Sequence, residues 1–192
     1  MATKKFTTVR IKNETGVKLA SVGIVHKYSD EYNQQKEWLN VPNGTSPDEK
    51  LIVEYNTGFL TTGRDWWKIV AMTEDGRIFQ SAPNNYRGFI DGVEEVLNEC
   101  GWDIVKLAAD ITIKTEVGGL VAIPIGVVTA ILTGLSNSAS TAGFKQFFLE
   151  NKDVDHGVEI ILKANEVEFK AIESTATTPF VSVASVEKKV AA

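Results

Sequence analysis

The residues that most often carry catalysis or bind metals are few and scattered in this sequence. His26, His156 and the single cysteine, Cys100, lie far apart and fall on different predicted elements. Zinc and transition-metal sites take closely spaced cysteine and histidine ligands, so the spacing predicts no metal site. Cys100 precedes Gly101 at a predicted helix end, where a small buried hydrophobe is the usual role. With no Gly-x-Ser-x-Gly elbow and no evident carboxylate pair, the sequence predicts a protein that is not an enzyme and needs no cofactor.

A glycine-containing stretch at residues 58–65 has the glycine spacing of a phosphate-binding P-loop. Arg64 and Asp65 stand where that motif needs lysine and then serine or threonine. The stretch also leads into a predicted strand, whereas a P-loop leads into a helix whose N-terminus faces the phosphates. We therefore expect a long loop between strands, in which Gly58 and Gly63 allow backbone angles that other residues resist.

Aromatic residues are concentrated in the first 70 residues, and they form the strongest candidate for a binding site. Aromatic rings stack on sugars and bind quaternary ammonium groups, and a basic side chain can meet an attached phosphate. Adjacent Trp66 and Trp67 must point to opposite faces of a strand, so the outward ring is either covered by the helical block or part of a shallow aromatic site. The candidate ligand-binding residues are four aromatic side chains and two basic ones: Tyr28, Trp38, Tyr55, Trp67, Arg64 and His26.

Composition and charge exclude several classes of protein. The 192 residues are 43% hydrophobic and 23% charged, with a net charge of −5, which suits a folded domain rather than a disordered chain. A nucleic-acid binder needs a concentrated positive field, so neither DNA nor RNA is an expected partner. No apolar signal-peptide region follows the basic N-terminal residues, which predicts a cytoplasmic location and leaves a non-classical route of secretion open.

Sequence patterns typical of β-strands occur in the N-terminal and C-terminal parts of the chain. A loose alternation predicts a hairpin between residues 6–11 and 19–28, followed by shorter strands. The clearest hairpin joins residues 66–73 and 77–80, because Asp75-Gly76 suits a tight turn. Beyond Gly157 the two-residue period returns, and it predicts two strands around a turn at 164–166 and an edge strand at 178–186.

Between these strands, residues 85–151 predict a block of about four helices. Two amphipathic helices are expected before residue 112, and Phe144, Phe147 and Phe148 have the spacing of a short fourth helix. Residues 117–135 carry no charge. Their glycines and Pro124 weaken a membrane-spanning interpretation, which favours a buried helix kinked near the proline and leaves a membrane-active segment as the alternative.

Together these patterns predict an α+β fold in one domain over residues 1–192. Its N-terminal strands occupy 5–80, the helical insertion 85–151 and the C-terminal strands 157–186. Because the helices fall between two groups of strands, we expect an antiparallel sheet or β-sandwich with an inserted helical block.

Five stretches carry a family resemblance: His26-Lys27-Tyr28-Ser29-Asp30, the stretches 55–59 and 61–67, Pro83-Asn84-Asn85-Tyr86-Arg87 and the string 138–145. They resemble motifs of the "up-regulated in Daf" domain proteins of fungi and nematodes. The resemblance extends over about residues 9–169 and implies no activity or catalytic residue. The first β region also resembles, at the level of fold only, the aromatic-rich sandwich of actinoporin-like cytolysins, which recognise phosphocholine and insert an N-terminal helix.

Two functional hypotheses follow from the sequence. The first is a soluble, non-enzymatic binding protein that holds a sugar or a phosphocholine-like headgroup on its aromatic loop face. The alternative is a pore-forming or lytic protein that inserts the uncharged residues 117–144 into lipid. A small molecule, a glycan, a lipid headgroup or a membrane surface are thus the candidate partners, and the oligomeric state stays open.

Overall fold

The computed structural model describes residues 3–29, 31–58, 63–83, 113–114, 120–121 and 127–185. Within these residues the chain forms twelve strands and two short helices. The helices are α1 (Val127–Asn137) and α2 (Asp153–His156). The strands are β1 (Thr3–Glu14), β2 (Leu19–Tyr28), β3 (Tyr32–Val41), β4 (Leu51–Thr57), β5 (Asp65–Thr73), β6 (Arg77–Ser81), β7 (Ile113–Lys114), β8 (Leu120–Val121), β9 (Lys145–Gln146), β10 (Val158–Lys163), β11 (Glu166–Lys170) and β12 (Thr175–Ser185).

Nine strands form one sheet that curves into a nearly closed, barrel-like shape. Their order is β3-β2-β5-β6-β12-β11-β10-β1-β4, and the short strand β9 adds to β5. The pairing is antiparallel except between β1 and β10, which run parallel with Val9 opposite Val158. Strands β7 and β8 pair with each other in a separate small sheet. Chain segments far apart in sequence therefore complete a single sheet.

Side chains join the two end strands, β3 and β4, across the remaining seam. Trp38 Nε1 donates a hydrogen bond of 2.8 Å to the carbonyl oxygen of Glu49. Lys36 Nζ lies 2.7 Å from Glu49 Oε2, and Asn56 Nδ2 donates to Glu31 Oε2 at 2.6 Å. These contacts hold the seam at both ends of β4 and bring the sheet close to full closure.

The barrel interior is filled by alternate residues of the strands. Trp67, Tyr55 and Phe169 are the largest apolar side chains with no exposed surface. They belong to one interior cluster to which every strand from β1 to β5, and also β10 to β12, contributes. Large aromatic rings fill the wide interior of a barrel where aliphatic side chains alone would leave voids.

A second apolar cluster lies on the outer face of the sheet under α1. Val128, Ile131, Leu132 and Leu135 of α1 pack there against β2 and β5, so β2 is buried on both faces. Gly23 permits this close approach, because a Cβ at that position would lie 2.3 Å from Leu132 Cδ1. This outer cluster explains why a helix without a single charged residue is stable on the protein surface.

The outer face of β5 also buries a lysine. Lys68 has no exposed surface, and its Nζ donates to the carbonyl oxygens of Ser81 at 2.6 Å and Gly143 at 3.2 Å. Burial lowers the pKa of Lys68 to about 6, because a low-dielectric environment disfavours the ammonium form.

The predicted α+β sandwich with a four-helix block is wrong for the described residues, which are mostly β with two short helices. The predicted fourth helix is replaced by β9 and extended chain, since Lys145 and Gln146 pair with β5. Helix α1 begins only at Val127, and Leu120 belongs to strand β8. The two helices predicted before residue 112, and Pro124, lie outside the described residues.

Two strand pairings also differ from the prediction. Strand β1 does not form a hairpin with β2; it pairs with β4 and β10. Strand β12 is not at an edge, because it pairs with β11 on one side and β6 on the other. Both errors have one cause: the period-two pattern of a strand does not specify its distant partners.

Local predictions of strands and turns are confirmed. The hairpin around Asp75-Gly76 joins β5 to β6, with Gly76 at a φ of 87°. Strands β10 and β11 form the predicted hairpin. Trp67 points into the interior cluster, whereas Trp66 points outward and packs against the outer cluster. The outward ring of Trp66 is therefore covered by other side chains, as the first of the two alternatives predicts. None of the helices in the described part of the chain is long and apolar enough to cross a lipid bilayer.

Substitution of Val128 by Asp should unfold the protein at moderate temperature. The side chain is fully buried, and an unpaired carboxylate in an apolar site costs about 3–5 kcal/mol. Thr133→Asp, on the exposed face of the same helix, is the matched control and should change the urea midpoint little. Equal midpoints for the two variants would show that α1 does not pack on the sheet.

Replacement of Lys68 by Met should flatten the pH dependence of stability. The unfolded chain keeps the Lys68 proton up to its ordinary pKa of 10.5, whereas the folded protein releases it above about 6. The unfolded state thus binds one more proton in that window, and stability rises by up to about 1.4 kcal/mol per pH unit. Urea unfolding near pH 7 and pH 9 should show this rise in the parent and in Lys18→Met, an exposed lysine control, but not in Lys68→Met.

Candidate functional site

Four of the six predicted site residues meet at one end of the barrel interior. In the β2–β5 register, His26 lies opposite Trp67 and Tyr28 lies opposite Asp65. The ring centroids of His26 and Trp67 are 4.2 Å apart. Tyr55 reaches the same interior cluster from β4. Because all these residues point inward at the same end of their strands, the sequence cluster of aromatic residues becomes a spatial one.

Residues 147–151, which we call the closing segment, cover this end of the barrel. Trp67 Nε1 donates to the carbonyl oxygen of Phe147 at 2.9 Å, and Tyr55 Oη donates to that of Glu150 at 2.9 Å. Phe147 and Leu149 point inward and are buried, whereas Phe148 between them is 53% exposed. The closing segment is therefore extended, with one aromatic side chain directed outward.

Asp65 anchors the closing segment to the sheet. Its carboxylate accepts a hydrogen bond from the amide of Leu149 at 3.0 Å, and its other oxygen lies 2.8 Å from His26 Nε2. The backbone carbonyl of Asp65 accepts from the amide of Phe147 at 3.2 Å. On the other side of the ring, His26 Nδ1 lies 3.0 Å from Gln34 Oε1. One carboxylate, 2% exposed, thus links β5, β2, β3 and the closing segment.

Burial, helped by nearby carboxylates, keeps the tyrosines at this end in the neutral form. Burial raises the pKa of Tyr28, and the charges of Asp65 and Glu31 raise it further. Burial also raises the pKa of Tyr55 far above its ordinary value, with Asp153 and Asp65 adding to the shift. Each hydroxyl therefore remains a hydrogen-bond donor at any physiological pH, and Tyr28 Oη donates to the carbonyl oxygen of Asn56 at 3.1 Å.

A recess of about 300 Å³ opens to solvent outside the closing segment. Gly63 forms part of its wall where the chain crosses the Tyr28 hydroxyl, since a Cβ at Gly63 would lie 1.9 Å from Tyr28 Oη. The recess offers an aromatic ring, carboxylates, amides and a hydroxyl within one small volume. Its lining residues are Tyr28, Asn56, Thr57, Gly58, Gly63, Asp65, Phe148, Leu149, Glu150 and Asn151.

The predicted site residues have different relations to this recess. Tyr28 lines it, whereas His26, Tyr55 and Trp67 lie beneath the closing segment with no exposed surface. These three rings lie beneath the floor of the recess, and Asp65 and the closing segment separate them from a ligand in it.

The other two predicted residues do not line the recess. Arg64 is exposed beside it, where its backbone pairs with Ser29, but its side chain does not contribute to the lining. Trp38 lies six residues along β3 from the Tyr28 end, about 20 Å away at the rise of a strand. Among the described residues, no group of histidine, cysteine and carboxylate side chains is arranged to hold a metal ion.

The sequence analysis missed the residues that form the rim. The helical spacing of residues 144, 147 and 148 predicts that Phe148 lies on the apolar stripe of a helix, which is wrong because this segment is not helical. The alternation of buried Phe147, exposed Phe148 and buried Leu149 fits an extended chain equally well, and only the contacts with Trp67 and Asp65 decide between them. At Asp65 the sequence shows only a mismatch to the P-loop motif, which does not indicate a buried anchor.

Substitution of Asp65 by Ala should destabilise the protein by about 2–4 kcal/mol. The change leaves the Leu149 amide and the His26 ring without their acceptor, and a buried donor without a partner costs about 1–3 kcal/mol. Asp48→Ala removes an exposed carboxylate and serves as the control, with a thermal melting temperature close to that of the parent. If Asp65→Ala melts like Asp48→Ala, the carboxylate does not hold the closing segment.

Comparison with known proteins gives one clear result. No curated protein sequence matches the chain significantly. The family model described as Up-Regulated in long-lived daf-2 matches residues 3–180, which include the whole barrel-like sheet apart from the end of β12. The predicted family resemblance is thereby confirmed, and the chain belongs to the Up-Regulated in long-lived daf-2 family.

Proposed function

We propose that this protein is a non-enzymatic binding protein whose recess at the closed end of the barrel holds a sugar. The observation that carries the proposal is the exposed ring of Phe148 beside the polar side chains of Glu150 and Asn151. Other large apolar side chains are also exposed on this protein, but Phe148 lines a recess together with polar groups, so its ring is accessible where a ligand would lie. Phe148 thus supplies a contact surface for an apolar ligand face.

The chemistry of the recess matches the two kinds of surface on a sugar ring. A pyranose presents C–H groups on one face, which pack on an aromatic ring, and hydroxyl groups at its edge. Carboxylate and amide groups accept and donate hydrogen bonds to such hydroxyls. Within the described residues, no hydrogen bond engages the side-chain carboxylate of Glu150 or the side-chain amide of Asn151, so both are available to a ligand.

Charge favours a neutral sugar over phosphocholine. Asp65 and Glu150 line the recess and Glu31 is hydrogen-bonded to Asn56 at its edge, so a phosphate group would be placed in a negative potential. The two residues proposed to meet that phosphate do not line the recess: His26 is bound to Asp65 beneath it and Arg64 lies outside the lining. The choline cation alone would be accepted, but its phosphate would oppose binding.

The two lining carboxylates do not favour glycoside hydrolysis. A glycosidase needs one carboxyl group as acid and a second as base or nucleophile, both open to the substrate. Asp65 is almost fully buried and both of its carboxylate oxygens accept hydrogen bonds from the protein. Glu150 alone remains accessible among the described carboxylates of the lining, which supports binding without turnover.

Saturation-transfer NMR with methyl glycosides of glucose, galactose, mannose and N-acetylglucosamine tests this proposal. At least one glycoside should receive magnetisation from the protein, and Phe148→Ala should weaken its binding by about tenfold, as expected for loss of an aromatic stacking contact. Phe6→Ala is the matched control, because Phe6 is 46% exposed on β1 and does not line the recess. Its affinity should stay within about twofold of the parent's.

Two further arms decide between this proposal and the other hypotheses. Phosphocholine in place of the glycosides should give a weaker signal, and a stronger one would overturn the preference for a sugar. Dye-loaded phosphatidylcholine vesicles should not leak; leakage would support the membrane-active alternative. If no glycoside binds, or if Phe148→Ala and Phe6→Ala bind equally, the recess is not a sugar site.

A further inference from the structure

We propose that a second site, on the outer face of the sheet, binds a phosphate monoester. A groove of about 260 Å³ lies where α2 leads into β10. We call it the basic groove, and it is separate in the fold from the recess at the barrel end. Its polar lining side chains are those of Thr8, Arg10, Lys50, His156, Glu159 and Lys170.

The sheet topology gathers these residues from four distant parts of the chain. In the parallel β1–β10 register, Arg10 lies beside Glu159, and in the β10–β11 register Glu159 lies beside Lys170. Val9 pairs with Leu51 on one side and with Val158 on the other. Lys50 directly precedes Leu51 and His156 lies two residues before Val158, so these pairings bring both residues to the groove. No local stretch of sequence therefore indicates that these residues form a basic groove.

The groove concentrates positive charge on an acidic protein. It holds the three permanent cations Arg10, Lys50 and Lys170 against the single carboxylate of Glu159, whereas the whole chain has a net charge of −5. Within the described residues, no ion pair engages Lys50 or Lys170. With three cations around one carboxylate, the groove has an excess of positive charge, which favours binding of an external anion.

Arg10 is only partly used by Glu159. The contact joins Arg10 Nε to Glu159 Oε1 at 3.1 Å, and a guanidinium group has further N–H donors in a planar fork. Those donors match the oxygen atoms of a phosphate, and the contact with Glu159 orients the guanidinium without occupying it fully.

His156 and Gly157 shape the wall of the groove. His156 Nδ1 lies 3.0 Å from the carbonyl oxygen of Lys152, and since a carbonyl oxygen only accepts, Nδ1 is the donor. Nε2 can then accept from a hydroxyl of the ligand in the neutral ring, or donate to a phosphate oxygen in the imidazolium. Gly157 has a φ of 75°, and a Cβ there would lie 2.8 Å from the carbonyl oxygen of Thr8. The glycine thus lets α2 lie close against β1 and brings His156 to the groove.

The size and charge of the groove select the class of anion. Its excess of positive charge suits the two negative charges of a phosphate monoester, and its volume admits the phosphate with a few attached atoms. A nucleic acid needs a positive surface that runs along several phosphates, whereas the basic side chains of this groove surround one compact volume. The same monoester group occurs on soluble metabolites and on phosphatidic acid, so the test includes both.

The two histidines of the chain provide a direct spectroscopic test. In a carbon–proton NMR spectrum of the untagged full chain, glycerol 3-phosphate should shift the ring signals of His156 in a saturable manner. The ring signals of His26, which is buried in the barrel, should stay unchanged and act as an internal control. Sodium sulfate at equal ionic strength separates recognition of the monoester from general screening, and it should shift His156 less.

Charge-removing variants assign the binding to the groove. Lys50→Gln and Lys170→Gln should each weaken glycerol 3-phosphate binding by about 5- to 10-fold, because each removes a charge-assisted contact. Lys18→Gln removes a lysine that is paired with Glu74 at 2.8 Å outside the groove and should change affinity less than about twofold.

Sedimentation with vesicles identifies the source of the monoester. Binding to phosphatidylcholine vesicles that contain phosphatidic acid, lost in the two groove variants, would assign the site to a lipid headgroup, and binding only of glycerol 3-phosphate would assign it to a soluble metabolite. The proposal is overturned if neither probe binds, if sulfate shifts His156 as much as the monoester does, or if Lys18→Gln weakens binding as much as the groove variants. None of these results depends on the sugar site.

Discussion

The buried carboxylate of Asp65 is the constraint on which the closed end of the barrel depends. A carboxylate without exposed surface must have its oxygen atoms satisfied by donors within the protein. Here the donors come from His26 on a neighbouring strand and from the Leu149 amide in the closing segment. The cost of burying the charge therefore fixes the position of residues 147–151, and that position turns Phe148 outward at the rim of the recess.

Further bonds to the closing segment come from residues that the sequence had suggested as ligand contacts. Trp67 and Tyr55 use their polar atoms to hold the carbonyl oxygens of Phe147 and Glu150. An indole N–H or a phenol hydroxyl in a barrel interior needs such a partner, and carbonyl groups of an extended segment provide it. The aromatic cluster thus serves the site by building its floor, while the side chains that face solvent belong to a segment 80 residues further along the chain.

Whether a feature of the fold could be predicted from the sequence depends on how far apart along the chain the interacting residues lie. The turn at Asp75-Gly76 and the opposite directions of Trp66 and Trp67 depend on local geometry and were predicted correctly. The parallel pairing of β1 with β10 and the central place of β12 depend on long-range contacts, for which the two-residue period gives no information. Phe148 was misassigned because helical spacing and the alternation of a short strand coincide over so few residues.

The two proposed sites also differ in what the sequence could reveal. Density of aromatic residues marked the region beneath the recess, although it did not identify the rim. No local sequence pattern indicated the basic groove, because its basic residues become neighbours only through the strand order. These residues are Arg10, Lys50, His156 and Lys170. A net charge of −5 correctly describes the whole chain, but it conceals a face of the opposite sign.

Native-state hydrogen exchange of the Leu149 amide tests the central claim most directly, because that hydrogen donates to the Asp65 carboxylate. We expect this amide and that of Phe147 to exchange only through extensive unfolding, with protection similar to that of amides in β5. The neighbouring amide of Phe148 has no hydrogen-bond acceptor among the described residues and should exchange much faster. Fast exchange of all three amides would contradict the account, since the closing segment would then lie on the barrel without being held by Asp65.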